Sequence, residues 1–399
     1  MKHSAATSTL QTPPVLAVYN RADIVMVRGE GVYLYDSHGK RYLDFAAGIA
    51  VNSLGHCHPH LVEALQRQAA TLWHCSNLYR MPGLELLCAR LAEHSFADTV
   101  FMTNSGAEAV ECGIKMIRKF HASNGKLRPR IITATGSFHG RTLACISAGR
   151  NPRATEGFGP LLDGFDQVEF DNLDALRRAI GPETGGILLE TVQGEGGIRP
   201  HAKEYLQAVR RLADEHDLLL FLDEVQCGMG RTGSLFAFEP YGIAPDICSI
   251  AKGIGGGFPV GACLATARAA SGMTVGSHGG TYGGNPLATA SANAVLDIML
   301  EKNFMHGVAA VGAKLKSTLA DVAAKFPQLI EEVRGVGLML GLKVKVPTRD
   351  MVSKLRAGGL LAVASSGDNV IRFVPPLVIT PAHVEEAKTI ITKICTEWT

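Results

Sequence analysis

The sequence predicts an α/β protein built on a mostly parallel sheet of about seven strands. Short runs rich in Val, Ile and Leu alternate with amphipathic stretches, the rhythm of strands separated by covering helices. Within the runs, apolar and polar residues barely alternate, so each strand is expected to be buried on both faces. The 44 glycines gather in Gly194–Gly197, Gly228–Gly233, Gly253–Gly257 and Gly279–Gly284. There the backbone must turn tightly or approach a ligand closely, which suggests a site assembled from loops.

In chain order, Ile24–Phe45 reads as short antiparallel strands around the turn Asp36–Gly39. The large sheet is expected from Val100–Thr103, Arg130–Thr135, Gln167–Phe170, Gly186–Glu190, Leu218–Leu222, Ile247–Ile250 and Gly261–Ala265. Helical periodicity marks Glu108–His121, Leu173–Ile180 and Ala202–His216 between them. Beyond Glu301 follow a long helix over Phe304–Phe326, strands near Val333–Val344 and Val370–Val374, and a final helix over Ala382–Trp398. Residues 1–55 and 301–399 are therefore expected to share a smaller α+β domain beside a large domain of residues 56–300.

Composition narrows the function classes. Across 399 residues, 39 Lys and Arg face 37 Asp and Glu. So even a balance gives no electrostatic reason to expect nucleic acid or a membrane surface as partner. No apolar run approaches the roughly 20 residues of a membrane helix, and Met1–Pro14 lacks the apolar stretch of a secretory signal. Nine dispersed cysteines without CxxC spacing read as reduced thiols of a cytoplasmic protein.

In open α/β sheets, ligands sit beyond the carboxyl ends of the strands. Three features stand there. Asn104–Ser105–Gly106–Ala107–Glu108 opens a helix, where bare backbone amides form a phosphate cup; Ser105 could equally serve only as the N-cap. Asp223 ends a buried apolar strand, which calls for a cationic partner: another side chain, or a protonated heterocycle nitrogen. Lys252 follows another such strand, and lysines entering a core can carry depressed pKa values suited to imine chemistry. Phosphate cup, acid and lysine together match the needs of pyridoxal 5′-phosphate (PLP). Phe138, in Ser137–Phe138–His139–Gly140–Arg141, could supply a ring face for stacking.

The segments Asn104–Ala109, Phe138–Arg141, Leu222–Gln226, Ala251–Gly253 and Gly279–Pro286 resemble class III (ω-amino) aminotransferases, with matching order and spacing from about residue 15 to 395. The resemblance implies PLP fold-type I and a homodimer with active sites at the subunit interface. It implies that Ser105, Gly106, Ala107 and His139 belong to the cofactor site, with Gly106 and Ala107 on the phosphate. Phe138 would stack on the ring, Asp223 meet the pyridine nitrogen and Gln226 the ring oxygen. Lys252 becomes the Schiff-base and proton-transfer residue, and Thr281 reaches the phosphate of the neighbouring subunit.

A transaminase pocket must accept two substrates in turn. An acylated ω-amine donor carries its one carboxylate far from the reacting carbon, whereas glutamate also carries one beside it. Arg141 and Arg372 resemble the family's distal and proximal arginines, and bidentate guanidinium pairing suits both tasks. Glu195 matches the acid that masks the proximal arginine. Gly48 stands where ornithine-specific members usually carry Tyr, which favours an acylated α-nitrogen. The resemblance thus implies transfer of the δ-amino group of N-acetylornithine to 2-oxoglutarate, in arginine biosynthesis. Gly280 departs from the family's frequent Ser before the phosphate-binding Thr, so contacts to the acyl group stay open. Succinylornithine, succinyl-diaminopimelate, ornithine and 4-aminobutyrate remain alternative donors.

Other readings fare worse. His56–Cys57–His58–Pro59–His60 lacks converging ligand geometry and a second ligand cluster, so no metal is expected. Gly253–Gly257 lacks the GxGxxG spacing of a dinucleotide loop. A PLP aminomutase has little use for a glutamate-selective switch, and a scaffold without catalysis would not need Lys252 and Asp223 intact.

Overall fold

The computed structural model describes residues 15–398, so the expectation for Met1–Pro14 lies outside the described residues. The large sheet has seven strands in the order Thr99–Thr103, Gly261–Ala265, Ile247–Ile250, Leu219–Asp223, Thr184–Glu190, Arg130–Ala134, Phe165–Val168. The strands pair in parallel except Gly261–Ala265, which runs antiparallel to both neighbours. Thr184–Glu190, Leu219–Asp223, Ile247–Ile250 and Gly261–Ala265 are buried along their whole length. Complete burial on both faces explains why their sequences are unbroken apolar runs.

One expected strand shifts. The structure places Phe165–Val168 in the sheet rather than Gln167–Phe170. Phe165 is fully buried opposite Ile131. Phe170 instead leaves the sheet to stack on His201, with ring centroids 4.3 Å apart.

Helix Gly106–Ser123 lies on the sheet, held at its start by Ser105, whose Oγ accepts the Glu108 amide at 3.3 Å. The Glu108 carboxylate reaches back to the Asn104 amide at 2.6 Å. Two reciprocal bonds therefore fix where this helix begins.

The chain ends meet. Met26–Glu30, Tyr33–Asp36 and Arg41–Asp44 form an antiparallel meander, and Leu360–Leu361 joins its edge in parallel. A second sheet orders Ile330–Val336, Met339–Val344, Val370–Phe373 and Val363–Ala364. Helices Phe304–Lys325, Thr348–Ala357 and Pro381–Thr396 accompany it. The amide of Leu377 donates to Ser53 O at 2.7 Å, tying the strand that carries Arg372 to the N-terminal segment. No helix among the described residues is long and apolar enough to cross a membrane.

Candidate active site

The carboxyl ends of the parallel strands open onto one cavity of about 360 Å³. Because Gly261–Ala265 runs the other way, its preceding residues Pro259 and Val260 arrive at the same rim.

Ser105, Gly106 and Ala107 line one side. Ser105 caps its helix by accepting the Glu108 amide, and its O–H remains available as a donor on the cavity side. The amides of Gly106 and Ala107, in the first helical turn, have no carbonyl four residues back to donate to. A Cβ at Gly106 would lie 2.6 Å from Val225 Cγ1, so only glycine fits there.

Asp223 is buried, with both oxygens engaged. Oδ1 accepts the Ser249 hydroxyl at 3.1 Å and the Val225 amide at 3.0 Å, and Oδ2 meets His139 Nδ1 at 2.8 Å. Burial alone would lower the His139 pKa, but the hydrogen bond and charge of Asp223 raise it above its ordinary value. The Asp223 carboxylate thus favours the protonated form of His139.

Lys252 begins a short 3₁₀ turn, Lys252–Gly255, with its backbone in the left-handed region at φ +45°. Such strain in a non-glycine residue persists only where surroundings impose it. Ser53 Oγ donates to Gly253 O at 2.7 Å and Ser291 Oγ to Gly255 O at 2.8 Å, two buried bonds that hold the turn. The Lys252 amine has its pKa lowered to about 8, first by burial and then by the charge of Arg372.

Arg372 is buried to 1% exposure. Its Nη2 pairs with Glu195 Oε1 at 2.6 Å, and its Nη1 donates to Gln226 Oε1 at 3.1 Å. Gln226 and Phe138 line the cavity. Arg141 is exposed, with its guanidinium 5.4 Å from the Phe138 ring centroid. Gly280 and Thr281 are also exposed and do not line this chain's cavity. Asn77 Nδ2 anchors their loop, donating to Gly280 O and Gly283 O at 3.1 and 3.0 Å.

The structure adds Glu190, buried in the cavity wall and opposite Asp223 in the strand register. The signal that found Asp223, a carboxylate closing a buried apolar strand, is present in the sequence at Glu190 too. Two of the three histidines considered for a metal go to separate carboxylates, His56 to Asp44 and His60 to Asp297, each at 2.8 Å.

The family model "Aminotransferase class-III" matches residues 17–395, spanning every element described above. The chain belongs to the class-III aminotransferases. This class-III aminotransferase is 58% identical over 374 residues to the acetylornithine aminotransferase of Agrobacterium fabrum, covering 94% of each chain. Among solved structures it resembles the ornithine aminotransferase of Toxoplasma gondii at TM-score 0.92 and 32% identity, covering 96% of this chain and 92% of that one. It also resembles the N-acetylornithine aminotransferase of Stenotrophomonas maltophilia at TM-score 0.83 and 37% identity, covering 95% and 97%.

Proposed function

We propose that this class-III aminotransferase moves the δ-amino group of N-acetylornithine to 2-oxoglutarate, giving N-acetylglutamate semialdehyde and glutamate in arginine biosynthesis. The observation that carries the reading is the buried Arg372–Glu195 pair. A cation neutralised by a nearby acid tolerates a donor without a carboxylate beside its reacting carbon. Displacing the acid frees the cation for glutamate's α-carboxylate.

The residues fit PLP. The bare amides of Gly106 and Ala107 suit a phosphate, and the absence of a Cβ at Gly106 lets this turn pack against Val225. Asp223, buried and hydrogen-bonded to His139, suits a protonated ring nitrogen. Phe138 offers a ring face, and Gln226, with Oε1 committed to Arg372, offers Nε2 to the ring oxygen. PLP supplies the electron sink that lets an amine leave one carbon and join another. Lys252 Nζ would hold its aldehyde carbon, and a pKa lowered to about 8 lets the same atom take up and return a proton near neutrality.

Gly48 supports an acylated donor. Its φ is +65°, yet Ala47, Ile49 and Ala50 hold similar values without being glycine. A Cβ there would meet only ordinary contacts, the nearest 3.4 Å away. Glycine there avoids left-handed strain and also presents no side chain to an acyl group. Arg141, beside Phe138, would take the distal carboxylate.

The working unit is a homodimer. Trp73, Leu78, Tyr79 and Tyr282 are exposed near the Gly280–Gly283 loop, an apolar surface that calls for a partner. A second copy would cover it and bring the partner subunit's Thr281 to the phosphate. Nine free thiols accord with a reducing cytoplasm.

Following cofactor absorbance in single half-reactions with N-acetylornithine, succinylornithine, ornithine, 4-aminobutyrate and succinyl-diaminopimelate tests the assignment. N-acetylornithine should give the highest kcat/KM. Ornithine or 4-aminobutyrate reacting faster would overturn the choice of donor.

A further inference from the structure

Glu190 is the one carboxyl of the cavity wall to which the family resemblance gives no role. Its two oxygens point in different directions. Oε1 accepts the amide of Phe138 at 2.9 Å, and Oε2 accepts the amide of Gly194 at 3.0 Å. Phe138 belongs to the loop that also carries His139 and Arg141. Gly194 opens the loop that carries Glu195. These loops follow different strands, and Glu190, at the end of Thr184–Glu190, stands between them.

The Gly194 end of the bridge leads directly to Arg372. A Cβ on Gly194 would lie 2.5 Å from the Gln226 side chain, so this loop packs against Gln226 without room to spare. Gln226 accepts from Arg372 Nη1, and Arg372 Nη2 pairs with Glu195, one residue beyond Gly194. Glu195 O in turn accepts the Gly367 amide at 3.1 Å, which fixes the far side of the loop. Glu190 thus sits at the root of a closed circuit of contacts around the guanidinium.

We propose that Glu190 is a positioning residue that couples the two substrate-recognition loops, so that the Glu195 mask over Arg372 is set together with the Phe138–Arg141 loop. Two amides converging from separate loops require two acceptor oxygens on one side chain, which a carboxylate has and a carboxamide lacks. Burial of this group without a cation in contact is costly. Its pKa is accordingly pushed up to about 7, burial being the largest cause. A mere loop tie need not be made from so unfavourable a group.

The proposal rests on reading Arg372–Glu195 as the switch between substrates, and the test separates the two ideas. Glu190→Gln turns one acceptor into an NH₂ facing an N–H donor; Glu190→Asp keeps both acceptors on a stem one methylene shorter. Half-reaction rates with N-acetylornithine and with glutamate are measured on each holoenzyme, with Glu195→Ala as reference. Amide hydrogen exchange is followed in peptides covering residues 136–141 and 194–197.

Glu190→Gln should slow the N-acetylornithine half-reaction about tenfold more than the glutamate one, the loss of one buried hydrogen bond. It should also accelerate exchange in both peptides, and Glu190→Asp should recover part of both effects. Glu195→Ala should shift the rate ratio alike but leave exchange in residues 136–141 unchanged. Equal slowing of both half-reactions by Glu190→Gln, or faster exchange in one loop only, would overturn the coupling. An unshifted ratio in Glu195→Ala would instead refute the switch, while exchange in Glu190→Gln still reports on the bridge.

Discussion

A guanidinium as buried as Arg372 and a lysine whose pKa is lowered to about 8 stand in one site, and the first explains part of the second. The charge of Arg372 favours the neutral form of Lys252, and Glu195 pulls the opposite way. An amine must be neutral to attack an aldehyde. The rate at which cofactor-free protein captures PLP should therefore rise with pH and level off above a midpoint near 8. Stopped-flow absorbance across a pH series measures it, and a midpoint near the ordinary lysine value of 10.5 would contradict the environment described here. Lys252 and Asp223 were legible in the sequence because a charged residue closing an apolar strand is conspicuous. Glu190 carried the same signal, but its function as a bridge depends on two amides from distant loops, which no local pattern records. Thr281 was legible only through resemblance, since its expected target lies outside its own chain.

Helix Gly106–Ser123 shows how an element places a site. Its N-terminus supplies the bare amides, and its packing on the sheet sets where they point. Gly113, in its middle, faces Phe221 of the strand ending in Asp223, and a Cβ there would lie 2.3 Å from the ring. Gly113→Ala should gain about 1 kcal/mol in helix propensity. Against this stands an overpacking cost of about 1–3 kcal/mol, since neither a fully buried ring nor the sheet can retreat cheaply. We expect net destabilisation, read as a lower denaturant midpoint; a raised midpoint would show that the helix is free to shift. The strands of the large sheet were recognisable to within two residues because burial on both faces leaves an unbroken apolar signature. Phe165–Val168 was displaced because Phe170, equally apolar, finds its contacts outside the sheet. The antiparallel direction of Gly261–Ala265 has no local signature at all, since it depends on how the preceding loop returns.

Across the whole molecule, the two ends of the chain support the Lys252–Gly255 turn. Ser53 holds Gly253 O through its hydroxyl and Leu377 N through its carbonyl, linking Lys252 to the strand of Arg372. Buried acids add a pH dependence to this assembly. Glu190 and Glu224 both have pKa values pushed up to about 7, chiefly by burial, from an ordinary 4.5. The folded state thus keeps protons that the unfolded chain releases. Their contribution to stability is full below the unfolded value and is lost as pH rises through 7. Glu224 accepts the amides of Ala237 and Phe238 and the Thr191 hydroxyl. Glu224→Gln should cost about 1–3 kcal/mol by leaving a buried donor poorly matched. It should also flatten the decline in denaturation midpoint between about pH 4.5 and 7; parallel curves for the two proteins would contradict the assignment.

On the proposed reading, one pocket serves two differently charged substrates by masking and unmasking Arg372. Comparing Glu195→Ala with the unaltered enzyme in separate half-reactions tests it most directly. N-acetylornithine should lose at least about tenfold more rate than glutamate does, because an uncovered guanidinium suits only the substrate with a carboxylate beside its reacting carbon. Equal losses with both substrates would contradict it.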